Sequence, residues 1–283
     1  MGKNDGDPLF IKIKWEEIMK FHDITCSQCG SCVEECGPLR EAISLTDSGV
    51  RIDLDLCIVC GHCVAVCPTD EMEHPLSPRE ALMDKLPTPE AAAMYLRSPR
   101  SVRCYKKEGA PRETLMRLVD IGRYVQTGVN TQGISYLVVD GREKVEALNA
   151  LFCETALKLI PEHPQMARLA EVIETQKARK EERIFRGAPQ LILALADKDH
   201  PRPRENAQFS LTFIALMAPT LGLGTCWAGY FESLATHDRF AAPFWKFLNL
   251  AENMRIRGAL MVGVPDVRFR RLVARNPLSV EWR

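Results

Sequence analysis

Two dense cysteine runs near the start of the chain restrict its fold more than any other feature. The first, CSQCGSCVEEC, covers residues 26–36, and the second, CIVCGHCVAVC, covers residues 57–67. Both follow the spacing C-x2-C-x2-C-x3-C, so they form an internal repeat. Their eight cysteines are Cys26, Cys29, Cys32, Cys36, Cys57, Cys60, Cys63 and Cys67. Because this spacing lets one short loop wrap three corners of a cubane through thiolates, we predict iron–sulfur clusters.

The cysteine content of the chain helps to decide between disulfides, zinc sites and iron–sulfur clusters. Eleven cysteines would suggest disulfides in a small secreted protein, but eight of them lie in two clusters of a 283-residue chain, which favours metal binding. Two structural zinc sites are the alternative. Zinc sites usually pair two short knuckles at a distance, so a dense run that occurs twice favours iron–sulfur chemistry.

Charge and hydropathy bear on partners and location. The 37 basic and 37 acidic residues balance, which argues against a nucleic-acid partner. No apolar stretch approaches the roughly 20 residues of a membrane-spanning helix, and the first residues lack the apolar core of a signal peptide. We therefore expect no membrane partner and a cytoplasmic location.

The repeat resembles that of bacterial two-cluster ferredoxins, in which the fourth cysteine of each run binds the other cluster. The resemblance implies two [4Fe-4S] clusters with crossed ligands. One set is Cys26, Cys29, Cys32 and Cys67, and the other is Cys57, Cys60, Cys63 and Cys36. Gly30 and Gly61 separate the second and third ligands of each run, where a residue without Cβ relieves crowding of the backbone.

The first run departs from the ferredoxin pattern at its end. Gly37 stands between Cys36 and Pro38, whereas proline follows the cysteine directly in that pattern. This departure affects the local turn and leaves the number of ligands unchanged. His62 and His74 replace no cysteine in the spacing, so we expect both on the surface.

The rest of the chain alternates helical and strand patterns after a proline-rich connector. Strands are predicted at ISYLVVD (134–140), APQLILALA (188–196), TCWAGYF (225–231) and GALMVGVP (258–265). Helices are predicted near EAAAMYL, on the face formed by Leu115, Leu118, Val119, Gly122 and Val125, at EKVEALNALFCETALKLI, in a charged stretch to about Arg183, and at 209–223. These patterns indicate an α+β or α/β second domain.

Three motifs of this second domain resemble those of the FMN-dependent nitroreductase family. They are SPRSVRCY at 98–105, QTGVNTQ at 126–132 and LGLGTCWAG at 221–229. The resemblance implies an α+β fold with a central, mostly antiparallel sheet flanked by helices. The predicted domains are then a ferredoxin-like domain at 1–80, a connector at 81–94 and an FMN-binding domain at 95–283.

The family also implies which residues contact FMN. Arginines suit a phosphate dianion because they give charge-assisted hydrogen bonds, and a carboxamide can both donate to and accept from the flavin. The predicted phosphate and ribityl contacts are Arg100, Ser101 and Arg103, with Arg271 and Arg275 returning from the C-terminal segment. The predicted contacts to the ring and its edge are Asn130, Gln132, Ala228 and Gly229. Cys104, Cys153 and Cys226 are assigned no catalytic role.

Clusters carry one electron and FMN carries two, so their combination predicts an oxidoreductase. Electrons would pass from the clusters to FMN and on to a small organic acceptor, such as a nitro, quinone or activated alkene compound. The donor would be a redox protein such as ferredoxin, or NAD(P)H. Two alternatives stay open: a non-catalytic relay or redox sensor, and an NAD(P)H-fed enzyme with the clusters as electron exit. The family implies a homodimer and no protein nucleophile, because the flavin N5 carries the hydride.

Overall fold

The computed structural model describes residues 20–21, 26–37, 41–74, 77–81, 83 and 85–283. The chain divides into two compact units, Met1–Leu86 and Pro87–Arg283. Pro38 lies outside the described residues, so the turn predicted there is not addressed. Within the described residues, no helix is both long and apolar enough to cross a bilayer.

The described part of the first unit combines two small antiparallel strand pairs with two short helices. Strand β1 (Lys20–Phe21) pairs with β4 (Met72–Glu73), and β2 (Ile43–Thr46) forms a hairpin with β3 (Gly49–Ile52). Helices α1 (Ser31–Cys36) and α2 (His62–Ala65) each begin inside one cysteine run. The core of this unit is small. It consists of the buried residues Cys32, Ile43, Cys63 and Met72.

The second unit is built on a four-stranded antiparallel sheet. Its strands are β5 (Ile134–Asp140), β6 (Gln190–Asp197), β7 (Gly224–Trp227) and β8 (Met254–Gly263), in the order β5-β6-β8-β7. Strand β6 is buried over nearly its whole length, as its unbroken apolar run QLILALA predicts. The register between β6 and β8 shifts at Ala194/Leu195, which marks a β-bulge.

Helices cover both faces of this sheet. The helices of this unit are α4 (Arg112–Asp120), α5 (Arg142–Leu159), α6 (Ala167–Arg179), α7 (Pro203–Met217), α8 (Gly229–Ala235) and α9 (Asp238–Phe247), preceded by α3 (Pro89–Arg97), which buries no residue. On one face, Leu211 and Ile214 of α7 join the same buried cluster as Ile192 and Leu260 of the sheet. The other face carries the larger apolar core. Its aromatic centre is Phe152, Phe185, Phe231 and Phe244, with ring centroids 5.2–6.2 Å apart.

Two sequence predictions are wrong. The strand predicted at TCWAGYF ends at Trp227, and helix α8 begins at Gly229. The apolar run could not distinguish a strand from a strand followed by a buried helix, because both present consecutive apolar residues. His74, expected on the surface, is 4% exposed because it follows β4 and forms a bridge with Ser77.

Candidate functional sites

The two cysteine runs share one local backbone conformation. Gln28 and Val59 each lie two residues after the first cysteine of their run, and they have φ of 52° and 54°. Gly30 and Gly61 have φ of 78° and 75° and cap the N-termini of α1 and α2. A side chain is strained in this left-handed region, which explains glycine at both positions. The internal repeat of the sequence is therefore also a structural repeat.

One cavity of the first unit brings together cysteines from both runs. Cys26, Cys29, Cys32 and Cys67 all line it, and Phe21, Leu45, Val50 and Met72 supply apolar walls. Four thiols around an apolar cavity fit a cubane cluster, which thiolates bind and an apolar shell shields from water.

The protonation preferences of these thiols differ. The hydroxyl and backbone of Ser31 lower the pKa of Cys29, whereas burial raises the pKa of Cys32 and raises that of Cys63 to about 12. For Cys67, burial raises the pKa, but hydrogen bonds from the backbones of Thr69 and Glu71 outweigh burial. The net pKa of Cys67 is therefore lowered. The buried thiols therefore need bound iron to stay deprotonated, because metal binding releases protons from thiol ligands.

A hydrogen bond connects the two runs across their helices. Nδ1 of His62, on α2, lies 2.9 Å from Oε1 of Glu35, on α1. Both side chains are largely exposed, so the pair contributes no more than about 1 kcal/mol. The prediction that His62 lies on the surface agrees with this exposure. For His74, burial lowers the pKa, which favours its neutral form.

In the second unit, Arg100 is held by backbone carbonyl groups. Its Nη1 donates to the carbonyl oxygens of Arg97 at 2.6 Å and Pro99 at 2.8 Å, and its Nη2 donates to that of Arg271 at 3.5 Å. Its Nε is buried and has no hydrogen-bond partner among the residues that the structure describes. A guanidinium with a buried unpaired N–H fits an anion-binding role, since buried donors normally find an acceptor.

The segment that follows Arg100 runs along the sheet edge. The Val102 amide donates to the carbonyl of Thr225 in β7 at 2.9 Å, and the Lys106 amide donates to Val264 at 2.9 Å. Ser101 and Arg103 are exposed, and Arg103 Nη1 donates to the Ser101 carbonyl at 3.3 Å. The structure therefore places Arg100, Ser101 and Arg103 in one short segment beside Arg271.

The second motif forms a strained loop. Val129, Asn130 and Gln132 have φ of 49°, 52° and 48°, a left-handed conformation that is uncommon outside glycine and that often marks ligand-binding segments. Nε2 of Gln132 donates to Oδ1 of Asn130 at 3.3 Å. The two predicted ring contacts of this motif are therefore neighbours.

Arg275 lies on the exposed C-terminal segment.

The third motif turns from β7 into α8. Ala228 is fully buried, and its amide donates to the carbonyl of Ala259 in β8 at 3.0 Å. Oε1 of Glu232, one helical turn after Gly229, accepts from the Ala259 amide at 2.6 Å. Burial raises the pKa of this carboxyl group. Sequence reasoning missed Glu232, because the prediction of a strand at 225–231 gave no reason to expect a side chain that returns to β8.

The three isolated cysteines differ in exposure. Cys104 is exposed, whereas Cys153 and Cys226 are buried. Nε2 of Gln176 donates to Sγ of Cys153 at 3.6 Å, and burial raises the pKa of that thiol. Nothing in these surroundings assigns the three a reactive role.

Comparison with known proteins identifies both units. Residues 96–264 match the nitroreductase family, which is more than half of the chain. The chain belongs to the nitroreductase family. Residues 16–71 of this nitroreductase-family protein match a 4Fe-4S dicluster domain. The predicted recognition, a nitroreductase-family oxidoreductase preceded by a dicluster segment, is confirmed by these matches.

Individual relatives agree with this family. An iodotyrosine deiodinase of Thermotoga neapolitana is 26% identical over 167 residues, which cover 59% of this chain and 84% of the relative. A nitroreductase of Bacteroides fragilis, solved with bound FMN, has 18% identity and a TM-score of 0.53, covering 67% of this chain and 98% of its own. An iodotyrosine deiodinase solved with FMN and 3-iodo-L-tyrosine has 21% identity and a TM-score of 0.51, covering 68% and 98%. These similarities confirm the predicted α+β fold of the second unit.

Proposed function

We propose that this protein is an FMN-dependent oxidoreductase that feeds electrons through two [4Fe-4S] clusters to a flavin and on to an organic acceptor. The observation that carries the proposal is the presence of both a dicluster 4Fe-4S segment and a nitroreductase-family domain in one chain. FMN, when bound, exchanges either one or two electrons, so it can link one-electron carriers to two-electron organic chemistry. The domain limits proposed for this division are 1–80, 81–94 and 95–283.

The cluster ligands follow the crossed pattern. We assign Cys26, Cys29, Cys32 and Cys67 to one cluster, and their common cavity supports this assignment. The other set is Cys57, Cys60, Cys63 and Cys36. The equivalent backbone of the two runs supports treating them alike, because equal conformations direct equally spaced thiols in the same way.

The proposed FMN contacts lie at three places in the second unit. Arg100, Arg103 and Arg271 would neutralise the phosphate, with Ser101 and Arg275 beside them. Asn130 and Gln132 would bind the ring and the ribityl chain through side-chain amides. Ala228 and Gly229 would meet the edge of the isoalloxazine with backbone groups. The contact between Arg100 and Arg271 supports the first group, and the neighbouring amides of Asn130 and Gln132 support the second.

A homodimer is part of the proposal. The C-terminal segment after β8 exposes several large apolar side chains, which a second copy of the chain would cover. They are Val267, Phe269, Leu272, Val273, Leu278, Val280 and Trp282. A cytoplasmic location is proposed as well, since clusters with exposed ligands such as Cys29 and Cys60 need reducing surroundings.

Anaerobic stopped-flow absorbance tests the electron path. Reduced ferredoxin and NAD(P)H are mixed separately with the reconstituted protein, and a nitroaromatic, a quinone or 3-iodo-L-tyrosine is then added. Reductive deiodination consumes two electrons and one proton per carbon–iodine bond and releases iodide, so iodide provides a separate readout. The proposal predicts that ferredoxin reduces the clusters, that the flavin follows, and that an acceptor reoxidises both.

Other outcomes favour the alternatives. Reduction of the flavin by NAD(P)H alone would support the clusters as an exit route. Failure of every acceptor to reoxidise the protein would support a relay or sensor. The double variant C29S/C60S is the matched control, because it should lose ferredoxin-driven reduction while its second unit keeps all the proposed FMN contacts.

A further inference from the structure

We infer that His200 is a positioning residue that holds the strained loop 127–133 in its FMN-binding conformation, and that its neutral form is required. This inference rests on the proposed function, because Asn130 and Gln132 of this loop are proposed FMN contacts. His200 lies in the turn between β6 and α7, outside all three family motifs. Nothing in the sequence singled it out.

Hydrogen bonds define the state of the His200 ring. Its Nε2 lies 3.1 Å from the carbonyl oxygen of Gln132, and its Nδ1 lies 3.3 Å from the amide nitrogen of Arg202. A carbonyl oxygen only accepts and an amide N–H only donates. The ring must therefore carry its hydrogen on Nε2 and keep Nδ1 free as an acceptor, which is the neutral imidazole.

The packing of the loop against this ring is close. A Cβ built on Gly133 would lie 2.5 Å from Nε2 and Cδ2 of His200, and Gly133 itself has φ of 70°. Only glycine fits between the loop and the ring, so a small shift of either one disturbs the other. The ring is thus in direct contact with the residue that ends the loop.

Other hydrogen bonds also hold this loop, but the bond to the Gln132 carbonyl comes from His200. The hydroxyl of Thr127 accepts from the Gln132 amide at 2.9 Å, and Nδ2 of the buried Asn206 donates to Oγ1 of Thr131 at 3.4 Å. The Gln132 carbonyl receives its bond from His200. Left-handed conformations are unfavourable for residues other than glycine, so a loop with three such residues needs external contacts of this kind.

Protonation of His200 would place a hydrogen on Nδ1 and remove the acceptor for the Arg202 amide. The charged residues next to His200 along the chain are Asp197, Lys198, Asp199 and Arg202, followed by Arg204 and Glu205 at the start of α7. Asp197 attracts a charged His200, but its carboxylate is occupied by the Asp199 amide and by Nδ2 of Asn253. The sequence TGVNTQG shows that the loop contributes no ionisable side chain. Acidification should therefore loosen the loop.

The test measures FMN affinity of the full-length protein after removal of its flavin, by quenching of FMN fluorescence at about pH 8 and about pH 5.5. H200A should weaken FMN binding about five-fold at pH 8, the effect of one net hydrogen bond. In H200Q, a side-chain amide can donate to Gln132, so affinity at pH 8 should return toward that of the wild type. The wild type should lose more affinity on acidification than H200Q does.

Three comparisons make the result decisive. H237Q removes an exposed histidine at the start of α9 and should behave like the wild type at both pH values. Equal affinities and equal pH dependence in the wild type, H200A and H200Q would overturn the positioning role while leaving the proposed function intact. A wild type that does not bind FMN would overturn both. If H200A fails to fold, the comparison of the wild type with H200Q at the two pH values carries the test, because H200Q keeps a donor for the Gln132 carbonyl.

Discussion

Nη2 of Arg100 donates to the carbonyl oxygen of Arg271 at 3.5 Å, which joins two segments 171 residues apart in the sequence. This bond ties the first residues of the nitroreductase-family domain to the segment that follows its last strand. Both residues were predicted as phosphate ligands from separate motifs. Their contact supports the proposal that both arginines serve one anion.

The arginine pair leads to the first prediction. R100A should weaken FMN binding by about ten-fold or more, because a hydrogen bond to a charged group contributes about 1.5–3 kcal/mol. R271A should have a smaller effect, since its backbone carbonyl, not its side chain, meets Arg100. Fluorescence titration with FMN measures both. R283A, which removes an exposed arginine paired with Glu281, is the control. Unchanged affinity in R100A would contradict the phosphate assignment.

The crossed ligand set gives the second prediction. C67S should remove the cluster that Cys26, Cys29 and Cys32 share, although Cys67 belongs to the other run. Anaerobically purified protein should contain about eight iron and eight sulfide per chain, and C67S about four of each. C104S, an exposed cysteine outside the runs, should retain the full content.

A distinct spectroscopic result would contradict this assignment. C67S and C29S should lose the same electron paramagnetic resonance signal, and C36S should lose the other. Loss of the same signal in C67S and C60S would show that each run holds its own cluster.

A buried amide network gives the third prediction. Gln190 is 2% exposed, and its Nε2 donates to Asp140 at 2.7 Å and to the Ala110 carbonyl at 2.9 Å, while its Oε1 accepts from the Ala110 amide at 2.8 Å. Q190A should lower the free energy of unfolding by about 3 kcal/mol, because it leaves buried backbone groups unpaired. Urea unfolding measures this, with Q165A at an exposed glutamine as control. A loss below about 1 kcal/mol would refute it.

The buried carboxyl group of Glu232 gives a pH-dependent prediction. Burial raises its folded-state pKa above the usual 4.5, so the folded state binds more protons than the unfolded state between the two values. Stability from this group is therefore present at low pH and decreases as pH rises through that window. E232Q should be as stable as the wild type near pH 4 and relatively more stable near pH 7.

Two variants of Glu232 separate charge from hydrogen bonding. E232Q keeps an acceptor for the Ala259 amide, whereas E232A leaves that amide unpaired and should be destabilised by about 1–3 kcal/mol at low pH, and by less as pH rises. Thermal unfolding across the pH range measures both. A stability difference between E232Q and the wild type that does not change with pH would contradict the raised pKa.

The sequence was informative where one pattern had one structural meaning. The cysteine spacing predicted both runs, and the strand at 134–140 was found at the predicted residues because its apolar run is bounded by turn residues. It failed where a pattern had two meanings, as at 225–231. It was silent on His200, Glu232 and Gln190, because single polar residues acquire their partners only when distant segments meet.

The two cysteine runs share the φ values of Gln28/Val59 and Gly30/Gly61 but differ in structure at their fourth cysteines. Cys36 is the last residue of α1 and precedes Gly37, with φ of 73° and ψ of 160°, whereas Cys67 lies beyond the end of α2 and receives hydrogen bonds from the Thr69 backbone and side chain. Hydrogen bonds to sulfur and solvent access set the reduction potential of a cluster. The two clusters should therefore have different reduction potentials. Electron transfer between them would then be favourable in one direction, which two identical clusters would not provide.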